Sequence, residues 1–297
     1  MSTVLYSYRT NRKHDRMQRL FSQYARTAIV LTALIWSTGG VVVKTADCSA
    51  MVLTALRCLF ANAVLIAVFY RQIRFTFSKV QIAGAISYCS MACTYALATK
   101  LTTAANAVLL QYSAPVFVAI LSWYILKEKI TRQDRVTVGC VFVGMVLFFS
   151  QRLDIGSVLG NVLGLVSGIS FAIFVICSRL QKDSSPVGAI ILGNSLAFLL
   201  GVPEMLSVPP TADVWLSGIY FGVVYGGLAF VFYTGAIVHV SAITAILIAT
   251  IEPVLNPVWV FLVVGEVPGI STCIGAVVVI SALIWRNCVV ERQKFRQ

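Results

Sequence analysis

The sequence predicts an all-α integral membrane protein, with ten transmembrane helices arranged as two inverted-topology five-helix repeats. Three observations carry this. Of the 297 residues, 59% are hydrophobic and only 11% charged, where a soluble domain holds about 45–50% apolar and about 25% charged residues. A single buried core cannot absorb that excess, so lipid must solvate much of the chain. Apolar runs of about 20 residues, the length that crosses a hydrocarbon core, recur from end to end. The chain also resembles itself when shifted by 138 residues.

The candidate spans, in order, are 27–46, 50–70, 80–99, 103–126, 135–150, 158–178, 187–207, 214–237, 241–264 and 270–286. This divides the chain into a basic tail at 1–26, a first repeat at 27–150, a second at 151–286 and a second basic tail at 287–297. The first tail holds Arg9, Arg12, Lys13, Arg16, Arg19 and Arg26 with no apolar run before the first span, so it reads as a cytoplasmic tail rather than a cleavable signal. A short amphipathic helix on the membrane surface fits it.

Lysine and arginine placement sets the orientation. With the N-terminus in the cytoplasm, inner segments hold the six tail cations, Arg71, Arg74 and Lys79, Lys127, Lys129, Arg132 and Arg135, Arg179 and Lys182, and the four after Trp285. Outer connections hold Lys44, Lys100 and Arg152. Both termini are therefore expected in the cytoplasm, and the number of spans must be even. The basic residues sit in short runs between apolar stretches and form no continuous face, so the net charge of +12 does not point to nucleic acid.

The repeat is specific. On the 138 shift Tyr95 meets Tyr233, Ala104 meets Ala242, Pro115 meets Pro253 and Glu128 meets Glu266. In the first span of each half, Trp36 meets Phe171 and Lys44 meets Arg179 on a shift of 135. Five spans is an odd number, so the second copy must begin on the opposite face. Inverted repeats with a solute site near the midplane are a recurrent design of secondary transporters.

At these residues the sequence resembles the drug/metabolite transporter superfamily, in its EamA-type ten-helix form. The run Leu34 to Lys44 looks like the family's W-G-x-x-F-x-x-x-K motif, with Ser37 in place of a glycine. Arg57 matches the arginine of the family's second span. Leu110 to Thr131 is similar to its proline-to-glutamate stretch, and Ile251 to Glu266 to the second copy. The resemblance implies secondary transport of amino acids, drugs or other metabolites, usually as export, from a bacterial-type inner (cell) membrane.

Glu252 is the foremost site candidate. Counting from Ser241, a rise of 1.5 Å per residue places it about 16 Å deep, near the centre of a core about 30 Å thick. An ionisable group at that depth is a functional hypothesis by default. Its two readings are a proton-coupling or amine-binding site, and a protonated brace for a broken helix. Pro115, Pro253 and Pro257 are expected to break or kink their helices. Arg57, a basic residue well inside a span, needs a partner, with Glu252 as one option and outer headgroups or helix-end carbonyls as others.

Helical spacing assigns a substrate cavity to Trp36, Tyr95, Gln111, Phe171, Tyr225, Tyr233, Glu252 and Asn256. Such a pocket, aromatic with few polar groups, suits a small amphipathic solute; ordinary helix packing is the competing role for each aromatic. Rows of glycine (Gly160, Gly164, Gly168 and Gly218, Gly222, Gly226) mark close helix approaches. Eight cysteines without a CxxC spacing, and only His14 and His239, indicate neither a metal site nor a cofactor. No P-loop or catalytic constellation occurs, which argues against an ATPase and an enzyme. A channel is disfavoured by symmetry inverted within one chain. The expected partners are a small-molecule substrate, the lipid bilayer and protons as candidate coupling ions. Monomer and homo-oligomer remain equal alternatives.

Overall fold

Inside lipid every backbone N–H and C=O must be satisfied within its own segment, which makes the α-helix the element open to a chain this apolar. The computed structural model describes residues 19–102, 104–150, 157–181, 186–265, 267 and 269–294, with backbone alone at 40, 43, 44, 104, 264 and 291–294. Among the described residues there is no strand. Most of the first tail, the Lys44 side chain, Arg152, Lys182, Glu266 and the end of the second tail lie outside what is described.

Among the described residues, ten helical segments follow a short helical stretch over 19–23. They are α1 (Ala25–Ser37, resumed as Gly39–Thr45), α2 (Ala50–Phe69), α3 (Lys79–Leu101), α4 (Ala104–Gln111, then Ala114–Leu121 with a wide turn over Ser122–Leu126), α5 (Arg132–Phe149), α6 (Val158–Leu180), α7 (Pro186–Ser207), α8 (Ala212–Tyr220, wide turns over Phe221–Leu228, then Ala229–Ile237), α9 (Ala242–Ala249, then Ile251–Val264) and α10 (Ile270–Lys294). Eight of them are long and apolar enough to cross a membrane. The other two are α1, interrupted at Thr38, and α5, which opens on Arg132, Asp134 and Arg135.

Serines start four of these helices. Ser49, Ser78, Ser157 and Ser241 accept from backbone N–H groups in the first turns of α2, α3, α6 and α9. Thr131 and Asp134 form a reciprocal cap at the start of α5.

The packing repeats itself across the two halves. Helix α3 lies on α6 as α8 lies on α1, α4 lies on α6 as α9 lies on α1, and α7 lies on α3 as α2 lies on α8. The remaining large contacts, α2 with α7 and α5 with α10, pair each helix with its own counterpart. Exchanging the halves therefore maps the contact pattern onto itself, which is the signature of a pseudo-twofold axis.

Three details depart from expectation. Helix α10 runs to Lys294, well past the expected end at 286. Arg286, counted among the tail cations, is buried at 5% exposure and paired with Asp134 at 2.7 Å. It also donates to Thr244 at 3.0 Å, tying α10 to α5 and α9. A buried cation of this kind must be matched by a carboxylate, and Asp134 supplies it. Third, Pro257 does not break its helix: the segment continues from Ile251 to Val264. The breaks fall instead just ahead of Pro115 and Pro253, at residues 112–113 and at Thr250. Proline is at ease in the first turn of a helix, where its missing N–H has no partner to lose.

The glycine rows lie against neighbouring helices. A Cβ on Gly168 would stand 2.6 Å from the Leu110 carbonyl oxygen and 2.8 Å from the Ser113 hydroxyl, so α6 touches α4 where α4 breaks. A Cβ on Gly139 would meet nothing within 4 Å. Gly168→Ala should accordingly destabilise the protein by about 1–3 kcal/mol, because the clash is with backbone that cannot rotate away. Gly139→Ala should be neutral or slightly stabilising from helix propensity. Thermal unfolding of the two variants in detergent checks the contrast, and equal behaviour would refute it.

Candidate functional site

Two facing helices are broken at matching places. Tyr112 in α4 and Thr250 in α9 are equivalent on the 138 shift, and each sits in the break of its helix. At each break the backbone closes tighter turns, Ser113 N–H to Leu110 at 3.2 Å and Thr250 N–H to Leu247 at 3.2 Å. The breaks bring side chains together that a continuous helix would hold apart. The Tyr112 hydroxyl donates to Glu252 Oε2 at 2.5 Å. The Tyr225 hydroxyl approaches Glu252 Oε1 at 3.4 Å. Tyr225 sits in the wide-turn stretch Phe221–Leu228 of α8, and such bulges recur at functional sites.

Above this group opens a cavity of about 550 Å³, within the range of small-molecule sites. Its floor holds Glu252, Tyr112 and Tyr225, and its walls Tyr95, Gln111 and Asn256. It extends to Ser49, Thr99 and Lys100, at the end opposite to where α1 begins and α10 finishes. There Lys100 pairs with Glu204 at 3.1 Å, their side chains 42% and 37% exposed. Glu252 is only half-buried despite its depth, because it faces this space. Gln111 is fixed by donating to the Ser167 hydroxyl at 2.8 Å, which in turn donates to the Met91 carbonyl at 2.9 Å.

Arg57 also lines the cavity, at 8% exposure. Its guanidinium lies 5.9 Å from the ring centres of both Phe221 and Tyr225, a cation–π arrangement. It donates to Cys58 Sγ at 3.6 Å. No ion pair joins it to Glu252; Tyr225 stands between the two, its ring facing the cation and its hydroxyl the carboxylate.

The other expected lining residues fall elsewhere. Trp36 and Phe171 line a smaller adjoining space of about 50 Å³ that shares Arg57, Met91, Gln111, Tyr112, Tyr225 and Glu252 with the large cavity. Tyr233 lines neither space: it packs on Trp36, Phe174 and Phe230 with ring centres 5.7–5.8 Å apart. Pro253 and Pro257 both border the large cavity, while Pro115 is buried beside the break. Among the described residues no group of three or more histidine, cysteine or acidic side chains is placed to hold a metal.

The sequence reading missed Tyr112 and Arg179. Tyr112 is a polar residue three positions ahead of Pro115, where a break displaces it, and that spacing was the available signal. Arg179, at the terminal end of α6, donates to Glu128 at 3.2 Å and to the Val238 carbonyl. Glu128 also accepts from the Ala242 N–H at 3.2 Å, capping α9. Three strands of chain are thus tied together below the cavity, on the side where the termini lie.

His239 is exposed in the turn beside this tie. Partial burial, then the nearby Arg179 charge, hold its imidazole below the ordinary histidine range. Because the folded state binds that proton less readily, stability is intact above about pH 6.5 and falls as the pH drops through that value. His239→Gln should remove this acid-linked loss, seen in thermal unfolding at pH 5.5 against 7.5, and leave behaviour between pH 7 and 8 unchanged. A wild-type-like acid loss in the variant contradicts the assignment.

Comparison with known proteins agrees with the architecture. A solved crystal structure superposes with a TM-score of 0.78 at 20% identity, covering 90% of this chain and 97% of the other, which shows a shared fold. An uncharacterized transporter of Archaeoglobus fulgidus is 26% identical over 268 residues, 89% of this chain and 97% of its own length. The human solute carrier family 35 member G1 is 30% identical over 135 residues, covering 43% of this chain and 37% of that protein. The uncharacterized transporter YoaV of Bacillus subtilis is 24% identical over 196 residues, 62% of this chain and 67% of its own. Residues 24–150 and 158–287 each match the EamA-like transporter family. With both halves matched, the chain belongs to that family and is a multi-pass membrane transporter.

Proposed function

We propose that the protein is a secondary active transporter that exports small amphipathic solutes, such as amino acids, amines or drug-like molecules, by alternating access. The observation that carries this is the cavity itself. It leads from one end of the helix bundle to a carboxylate at mid-depth and stops there, while the Arg179–Glu128 tie closes the opposite end. A pore has no such floor. Two halves that exchange without changing the contact pattern supply a second arrangement of similar energy, in which the open and closed ends swap.

In this reading Glu252 takes up either the coupling proton or the ammonium of the cargo. The aromatic walls take its apolar part. Arg57 makes an anionic cargo group tolerable, and Tyr225 keeps the two charges apart when the site is empty of solute. The Lys and Arg distribution supports cytoplasmic termini, so the cavity opens outward in this state.

Reconstituted proteoliposomes offered phenethylamine, phenylalanine and benzoate, with and without a pH gradient, test the proposal. Saturable counterflow of the amine or the zwitterion is expected, and ohmic current without saturation would point to a channel instead. Glu252→Gln should reduce transport driven by the pH gradient at least tenfold and abolish its pH dependence. Unchanged rate and pH dependence would remove the coupling role from Glu252.

A further inference from the structure

The corner that joins α4 to α5 at the terminal face sorts its charges by sign. Residues 127–131 lie outside either helix, and burial alternates along them. Lys127, Lys129 and Thr131 are exposed, while Glu128 and Ile130 are half-buried. The first turn of α5 sorts likewise, with Arg132 and Arg135 exposed and Asp134 buried. Both acids are already engaged. Glu128 holds Arg179 and the Ala242 N–H, and Asp134 holds Arg286 and the Thr131 cap. Lys127, Lys129, Arg132 and Arg135 thus put four cations on the surface within nine residues. Among the described residues none of the four has an acidic partner.

The local backbone does not ask for these cations. Lys127 holds a left-handed conformation at φ 56°, and its equivalent on the 138 shift is Gly265 at φ 78°. Glycine enters that region without the β-carbon clash that lysine meets. Arg132 and Arg135 stand at the start of α5, where the helix dipole favours acids over bases. The matching corner of the second half, residues 265–275, contains no lysine or arginine. A cation cluster that its own backbone opposes points to an anion outside the chain.

The surroundings identify that anion as a lipid headgroup. Trp123 and Tyr124, about one turn ahead of the cluster, are 58% and 61% exposed, with ring centres 4.6 Å apart. They ride on the wide turn Ser122–Leu126. Exposed tryptophan and tyrosine near the end of a membrane helix mark headgroup level. Ile120 and Ile125 are exposed on the same stretch and offer an apolar surface to an acyl chain. About four or more cations directly past a span form the pattern that recruits anionic lipid.

We propose that this corner binds the headgroup of an anionic phospholipid, of the phosphatidylglycerol type, in the leaflet at the terminal face. Lys129 and Arg132 hold the phosphate with Lys127 and Arg135 on either side, and Trp123 and Tyr124 pack on the glycerol and the upper acyl chain. A headgroup bridging Lys127 and Lys129 also braces the residue between them, Glu128, in its contact with Arg179. The site lies outside the cavity, and the inference holds whatever the cargo is.

Native mass spectrometry of the full chain, released from micelles holding equal phosphatidylglycerol and phosphatidylcholine, tests the site. Each cation near the surface strengthens attraction to an anionic lipid about fivefold. The wild type should therefore retain phosphatidylglycerol over phosphatidylcholine by about tenfold or more. The double variant Lys129→Gln with Arg132→Gln should lose most of that preference. Arg74→Gln with Lys79→Gln removes the same charge from exposed positions in the α2–α3 connection and should keep it. No preference in the wild type, or equal loss in the two double variants, would overturn the site, the second result leaving only diffuse attraction to a basic face. Thermal unfolding in phosphatidylcholine micelles separates the two sources of phosphate. Added phosphatidylglycerol should raise the unfolding temperature of the wild type and not that of the Lys129→Gln, Arg132→Gln variant. An equal rise from millimolar inorganic phosphate would overturn the assignment to lipid in favour of a free anion.

Discussion

The structure turns on the hydrogen bond between Tyr112 and Glu252. A carboxyl group at the depth of a lipid core is expensive whichever charge state it takes, and it persists only where the fold brings it donors. Here the donors arrive because two helices are interrupted at equivalent points. Each break releases a turn of backbone, rotates the following half-helix and aims one side chain at the other. Proline follows each break rather than making it, sitting where a first-turn residue needs no N–H. The floor of the cavity is therefore made of two discontinuities facing each other across the pseudo-axis.

Around that floor the two ends of the bundle are built differently. At the terminal face an ion pair whose side chains are each 21% exposed, Arg179 with Glu128, is joined by the capped start of α9. Beside it the Arg286–Asp134 pair is almost fully enclosed. Removing one partner from an enclosed pair costs about 3–5 kcal/mol, whereas half-solvated pairs are worth much less. The enclosed pair thus belongs to the permanent scaffold linking α5, α9 and α10. The distal end carries its cations at the surface, with Lys100 and Glu204 both well exposed.

Between the ends lies an asymmetry that the repeat does not share. Glu252 has an alanine as its counterpart, Ala114, and Tyr112 has a threonine, Thr250. The cavity is lined from both halves, and unequal residues at equivalent positions place one carboxylate, Glu252, in its floor.

The sequence by itself determined the membrane class and the two-fold repetition, because these depend on composition and on similarity between stretches of the same chain. It also marked Arg57, Gln111, Asn256 and Tyr95 as polar or aromatic groups on helix faces. Only the tertiary structure decided which of these meet. Tyr112 reaches Glu252 because a helix breaks three residues before a proline, an event that periodicity reads as continuous helix. Tyr233 is drawn into packing with Trp36 and Phe174, and Arg286 turns from a tail cation into a buried partner of Asp134. These outcomes depend on pairs of residues 59 to 197 positions apart, and spacing within one helix holds no information about what stands opposite.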